Sequence, residues 1–414
     1  MHHLAESYVK LVLAVGEYDE NYVDAYYGPA AWREEIKRAR MPLEAVERSA
    51  TGILETLHGT MVHPADEMTQ RRKQYLIKHL EALIAHIEML SGKQMSFEEE
   101  AQALYDVKPP VHTEEDFQEI LRGLESLLPG SGPLADRYEE FRKSFIIPNE
   151  KLDPVFQAAI AECRRRTKSH IQLPANERFS LEYVKDKPWS GYNWFKGSGF
   201  SLIQINTDLP VHIDRAVDLA AHEGYPGHHV YNMLLEQHLA KERNWVEFTV
   251  YALFSPQSLI AEGTANFGID VAFPGNQRLQ FEENVLFPLA GLDRSRVVQY
   301  YIIHQLVLRL NYTHNEAARR YLNGKFTREQ AEDFLMTYAL MSRERARQRV
   351  RFIDTYRSYV INYSLGQDLV KRHIESQGGR ADRPEVRWQQ FICLLSSPLV
   401  PSYLQCSERS GDPC

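Results

Sequence analysis

The chain has 414 residues, 43% of them hydrophobic, enough to bury a large core in one domain or in two closely packed ones. A formal net charge of −8 and a pI near 6.1 leave no basic footprint for nucleic acid, so no DNA or RNA partner is expected. No run approaches the roughly 18 apolar residues of a membrane span, and the opening MHHLAESYVKLVLAVGEYDE lacks the basic leader of a signal peptide, so the cytoplasm is the expected setting.

Helical periodicity dominates from the start to about residue 170. SFEEEAQAL opens with a capping box, Ser96 and Glu99, and HTEEDFQEILRGLESLL repeats the device with Thr113 and Asp116. LDPVFQAAIAECRRRTKSH offers Asp153 as a cap and Pro154 at the first helical position. Between about 178 and 210 the texture changes: RFSLEYVKDKPWSGYNWFKGSGFSLIQINTDLP alternates aromatic and β-branched runs with turn residues, which predicts one small sheet. Helices return after residue 212, with long segments near 293–322 and 327–376, the second opened by Thr327 and Gln330. Cys163, Cys393, Cys406 and Cys414 form no CxxC pair, so reduced thiols are expected, with a Cys406–Cys414 bridge as the alternative.

The stretch AAHEGYPGHHVYNMLLEQHL, residues 220–239, carries the chemistry. Metal-binding HExxH helices place two histidines one turn apart, with the intervening glutamate facing a bound water. Here the histidine after His222 is His228, six residues on, and Pro226 occupies the usual ligand position. Six residues turn a regular helix by about 600°, which carries His228 off the face of His222. Pro226 cannot bond back to the carbonyl of His222, however, and Gly224 and Gly227 flank it, so a bulge is expected. Two residues absorbed there return His228 to the next turn. His229, seven residues from His222, regains the face but lies about 10 Å along the axis, too far to share an ion. His228 is therefore preferred, with His229 the secondary candidate. The third ligand is sought on a following helix, where Glu262 stands in the apolar, small-residue run SPQSLIAEGTANFGIDV. Asp218, one turn before His222, is a candidate acceptor for an imidazole N–H.

The string HEGYPGHH, the later AEGTA and the N-terminal GEYDENYVDAYYGP resemble a bacterial family catalogued as domain of unknown function 885, over most of the chain. In that family the pattern is read as a zinc-peptidase-like site, akin to thimet-type oligopeptidases and helical metallocarboxypeptidases. The resemblance implies a zincin-like, mainly α architecture in which His222, His228 and Glu262 hold one zinc ion and Glu223 is the general base. The histidine after His228 varies among members, which leaves His229 secondary. A tyrosine with a glycine close behind also belongs to the resemblance, pointing to Tyr363 before Gly366 as the oxyanion donor.

Tyr363 shares a helical stripe with Tyr356 and Tyr359, whose ordinary role is at a core edge; Tyr300, Tyr301 and His304 form a weaker rival group. Arg343, Arg347 and Arg351 recur every four residues and are candidates to clamp a substrate carboxylate, although such rows are usually solvated. The edge of GSGFSLIQINTDLP could add an extended peptide as a strand. No serine-hydrolase elbow, P-loop or dinucleotide fingerprint occurs. The expected organisation is a helical region, 1–175, lining a cleft and a catalytic region, 176–414, comprising the sheet (176–210), the metal-site helices (212–270) and C-terminal helices, all in one compact unit. The expected function is zinc-dependent hydrolysis of short peptides. Its rivals are a zinc amidohydrolase acting on a small non-peptide amide or ester, and a binding protein with a degenerate metal site.

Overall fold

Local chemistry sets several helix starts in the computed structural model, which describes residues 1–406. The Cys406–Cys414 pairing lies outside the described residues. Ser96, Thr113 and Thr327 each cap a helix through reciprocal bonds with Glu99, Asp116 and Gln330. Asp153 is no cap: a 3-10 turn at Asn149–Lys151 runs directly into the helix Leu152–Lys168, which therefore needs none.

The fold is mainly α, with two small sheets where the sequence reading expects one. Strands β1 (Val23–Tyr26), β2 (Arg178–Val184), β3 (Gly191–Gly197), β4 (Phe200–Asn206) and β5 (Val250–Ala252) follow in chain order. The expected sheet has the order β2-β4-β3, with β4 parallel to β2 and antiparallel to β3. Ser201, Ile203 and Ile205 of β4 are buried and alternate with less buried residues, the period of a strand with one covered face. Because β4 is central, the GSGFSLIQINTDLP segment offers no free edge; β3 pairs with β4 alone and supplies it. The second sheet, β1 against β5, joins segments too short to leave a periodic signal.

The helix carrying the motif is broken. Asp214–Leu219 is α-helical, Ala220–Gly224 forms a wide π turn, Tyr225 is extended, and helix resumes at His228–Leu235. Its hydrogen bonds count the excess: Tyr225 N–H reaches back five residues to Ala220 O, and Gly227 N–H reaches back six to Ala221 O at 2.9 Å. A regular helix spans four, so two residues are absorbed. Only glycine fits at 227, since a Cβ there would lie 1.9 Å from His222 O. A second close approach joins the helices Pro256–Ala272 and Ile361–Ser376, where a Cβ on Gly263 would lie 2.4 Å from Gly366 O.

One apolar core runs from Ala5 to Leu404 and draws on both halves of the chain; a second gathers Phe117, Leu124, Ile303, Leu335 and Val350. A cavity of about 1220 Å³ is lined by residues packed on both cores. Of residues 1–175, Asp24 and Ile120 reach its wall. Among the described residues no helix is long and apolar enough to cross a membrane.

Candidate metal centre

The break brings His222 and His228 together on the cavity wall, with their Nε2 atoms 3.1 Å apart and rings nearly perpendicular. Glu262 Oε2, from the helix Pro256–Ala272, lies 3.1 Å from His222 Nε2 and 3.6 Å from His228 Nε2. Ligands at about 2.0–2.1 Å from a tetrahedral zinc are some 3.3–3.4 Å from one another, so this triangle fits one ion. Glu262 Oε2 is buried and receives no hydrogen bond of good geometry, which is costly for a carboxylate unless a cation serves it.

The surrounding groups orient these side chains. His222 Nδ1–H donates to Asn266 Oδ1 at 2.9 Å, which leaves Nε2 to face the cluster, and Asn266 Nδ2 donates to Tyr363 O at 3.0 Å. Tyr359 O–H donates to Glu262 Oε1 at 2.7 Å, across the Gly263–Gly366 crossing. Burial disfavours a charged His222, but Glu223, Glu262 and Asn266 outweigh it and raise its pKa to about 9. Burial would likewise lift Glu262, yet His228 and His222 hold its carboxyl well below the usual range. Glu223 is 4% exposed and lines the cavity; burial raises its pKa against the opposing pull of His222 and His228. Its backbone carbonyl accepts from Asn193 Nδ2 of β3 at 2.6 Å, which fixes the edge strand beside it.

Other expected residues fall elsewhere. Asp218 is not the acceptor for His222, whose Nδ1–H goes to Asn266: the widened turn beginning at Ala220 lies between them, and the Asp218 carboxylate pairs with Arg278 at 2.8 Å and Arg215 at 3.1 Å. His229 is fully buried on the sheet side, donating Nε2–H to Glu177 Oε1 at 3.1 Å and accepting from Ser201 Oγ at 2.8 Å. Arg343 pairs with Asp333 and Arg347 with Glu332, while Arg351 is exposed, so this row faces solvent away from the cavity. Tyr363 lines the cavity, its ring 6.5 Å from that of His222, and its hydroxyl bonds to no protein group among the described residues. Tyr300 O–H is spent on Asp214, with His304 Nδ1 4.0 Å from the same carboxylate.

The sequence reading misses four contributors. Asn266 stands one turn beyond Glu262, the spacing that signals a shared face. Asp24, in the GEYDENYVDAYYGP segment, is delivered to the cavity by β1 and accepts from Tyr192 O–H; burial raises its pKa to about 6. Arg345 and Arg349 line the cavity on the same helix as the expected arginine row, one face round. Their stripe, Arg345, Arg349, Phe352 and Tyr356, follows a helical i, i+4, i+7, i+11 pattern that marks it in the sequence.

No protein-family model and no curated protein sequence matches the chain. Among solved structures, a protein of Colwellia psychrerythraea provisionally named a lipoprotein is 15% identical, with a TM-score of 0.55 over 91% of this chain and 72% of that one. A Shewanella oneidensis protein of unknown function, also provisionally named a lipoprotein, is 13% identical over 92% of this chain and 76% of that one, with a TM-score of 0.48. M32 carboxypeptidase from Deinococcus radiodurans R1 is 13% identical over 99% and 95% of the two chains, with a TM-score of 0.40. The Colwellia likeness shows a shared fold; the chemistry must be argued from this chain's own residues.

Proposed function

We propose that the protein is a zinc-dependent hydrolase of short peptides, with one ion held by His222, His228 and Glu262 and with Glu223 as general base. The observation that carries this reading is the approach of three ligand atoms to 3.1–3.6 Å of one another on a cavity wall, with Glu223 next to His222 in the same widened turn. Two imidazoles and one carboxylate with an open side suit a hydrolytic zinc site. Zinc bound there supplies Lewis acidity and lowers the pKa of a water molecule.

The chain's own groups do the rest. Glu223 accepts a proton from the attacking water and passes it to the leaving amine. The C–N bond breaks, the water oxygen joins the acyl carbon, and the amine departs with the added proton. Burial, which raises the Glu223 carboxyl from its ordinary value, makes its carboxylate a stronger base toward the attacking water. Tyr363 O–H donates to the carbonyl oxygen as it gains negative charge. The free edge of β3, from Gly191 to Asn193, lies on the cavity wall and suits an extended peptide. A cytoplasmic setting belongs to the same reading, supported by a buried free thiol at Cys163 and the lack of any CxxC pair.

Glu223→Gln is expected to retain zinc while hydrolysis of a panel of short peptides drops by at least about a hundredfold. An active Glu223→Gln enzyme would remove the base assignment, and cleavage confined to non-peptide amides would replace the substrate class.

A further inference from the structure

Charged groups on the cavity wall are unevenly matched. Arg278 is paired with Asp218 and Glu282, and Arg215 with Asp218. Arg345 and Arg349, both partly buried, meet no carboxylate among the described residues. Arg345 donates to Pro210 O at 2.9 Å, and Arg349 lies over the Phe352 ring at 5.3 Å with no hydrogen bond to any described residue. Burial lowers the pKa of Arg345 to about 10, with Arg142 and Arg215 adding repulsion that Glu139 and Asp214 offset only in part, and it lowers that of Arg349, which Tyr363 favours and Arg215 opposes.

Withdrawing a guanidinium from water without an acid to meet it is expensive, and here two are withdrawn one turn apart on one helix, both facing the cavity. An anion from outside the chain would supply the missing charge. Arg349 lies over the Phe352 ring, which is 6.1 Å from that of Tyr363, itself 6.5 Å from the ring of His222, so the vacant fork shares a stretch of cavity wall with the metal cluster. The one anion every unmodified peptide carries is its terminal carboxylate, and its planar pair of oxygens matches the guanidinium fork.

We propose that Arg349, assisted by Arg345, binds the free C-terminal carboxylate of a peptide, so that hydrolysis releases residues from that end. The inference rests on the peptidase reading of the same cavity. It replaces the solvated row Arg343, Arg347 and Arg351 with the face one step round the helix.

The test separates carboxylate recognition from catalysis by measuring binding. In the Glu223→Gln protein loaded with zinc, calorimetry compares N-acetyl-trialanine with its C-terminal amide. The acid should bind about 10- to 100-fold more tightly, the range for a hydrogen-bonded charge pair. Adding Arg349→Gln should bring the two ligands to within about threefold, and Arg349→Lys, which keeps the charge without the fork, should fall between. Retained thermal unfolding establishes that each variant is folded; if Arg349→Gln is not, Arg349→Lys carries the comparison. Equal binding of acid and amide, no binding of either, or a preference that survives both substitutions would overturn the inference. An Arg349-dependent acid preference in a protein whose wild type cleaves no peptide would sustain the carboxylate site and defeat the peptidase reading. Equal cleavage of acid and amide by the wild type would do the reverse.

Discussion

Two clusters among the described residues each gather three ligand-type side chains within 4.8 Å: His222, His228 and Glu262, and Asp214 and Asp218 of the preceding turns with His304 of the helix Val297–Leu308. They differ in what already serves the carboxylates. Arg278 reaches Asp218 at 2.8 Å and Glu282 at 2.9 Å, Arg215 adds to Asp218, and Tyr300 donates to Asp214. Burial, only partly offset by Arg278, raises the Glu282 pKa to about 8. Among the described residues no arginine or lysine pairs with the first cluster, and Glu262 Oε2 lacks a proper donor. Ligand count alone therefore does not make a metal site. Charge balance distinguishes a network completed by arginine from one that leaves room for an ion.

The largest expected effect bears on that distinction. Glu262→Gln should weaken zinc binding by more than the roughly 10- to 100-fold typical of losing a group that merely supports a ligand. Asp218→Asn should leave zinc affinity within about threefold, because its carboxylate belongs to the arginines. Competition with a chelator of known affinity measures both, and equal losses would erase the contrast between the clusters.

Next in size is the stability of the second cluster. Arg278→Met leaves Asp218 and the wholly buried Glu282 without their cation and should cost about 3–5 kcal/mol in denaturant unfolding, with zinc stoichiometry preserved in the folded protein. A cost below about 1 kcal/mol would mean that Arg278 does not complete this network.

A smaller effect concerns the back of the motif helix. Burial would raise the Glu177 pKa, but His229, Tyr225 and Arg164 outweigh it and lower it to about 2 from 4.5. A folded pKa below the unfolded one stabilises the protein fully above pH 4.5 and progressively less as the pH falls towards 2. Glu177→Gln should lose stability on the order of 2 kcal/mol at neutral pH and show a flatter stability profile between those limits. Parallel profiles for the two proteins would remove Glu177 from the account.

Much of the candidate centre's geometry was legible because its signal is local backbone chemistry. Pro226 and Gly227 can be read as a helix break without knowing any neighbour, and the six-residue reach of Gly227 N–H to Ala221 O is the two-residue excess that brings His228 to His222. Glu262 was visible as a charge stranded among small apolar residues. Side chains whose direction depends on tertiary packing were harder to place. Asp218 looked one turn from His222, but the widened turn between them changes their relative orientation and the carboxylate meets arginine. The arginine-rich helix Arg343–Tyr356 carries charge on several faces, so only its burial on Ala346, Val350 and Ile353 decides which arginines meet the cavity. Strands β1 and β5 were missed because four and three residues give no usable period, although β1 brings Asp24 to the site.

The central claim is that a bent helix lets His228, and not its neighbour, join His222 and Glu262. Elemental analysis of the wild type, His228→Ala and His229→Ala after zinc reconstitution and removal of loosely held metal tests it most directly. The account predicts about one zinc per chain in the wild type and in folded His229→Ala, and essentially none in His228→Ala. A full complement of zinc in His228→Ala, or none in the wild type, would contradict it.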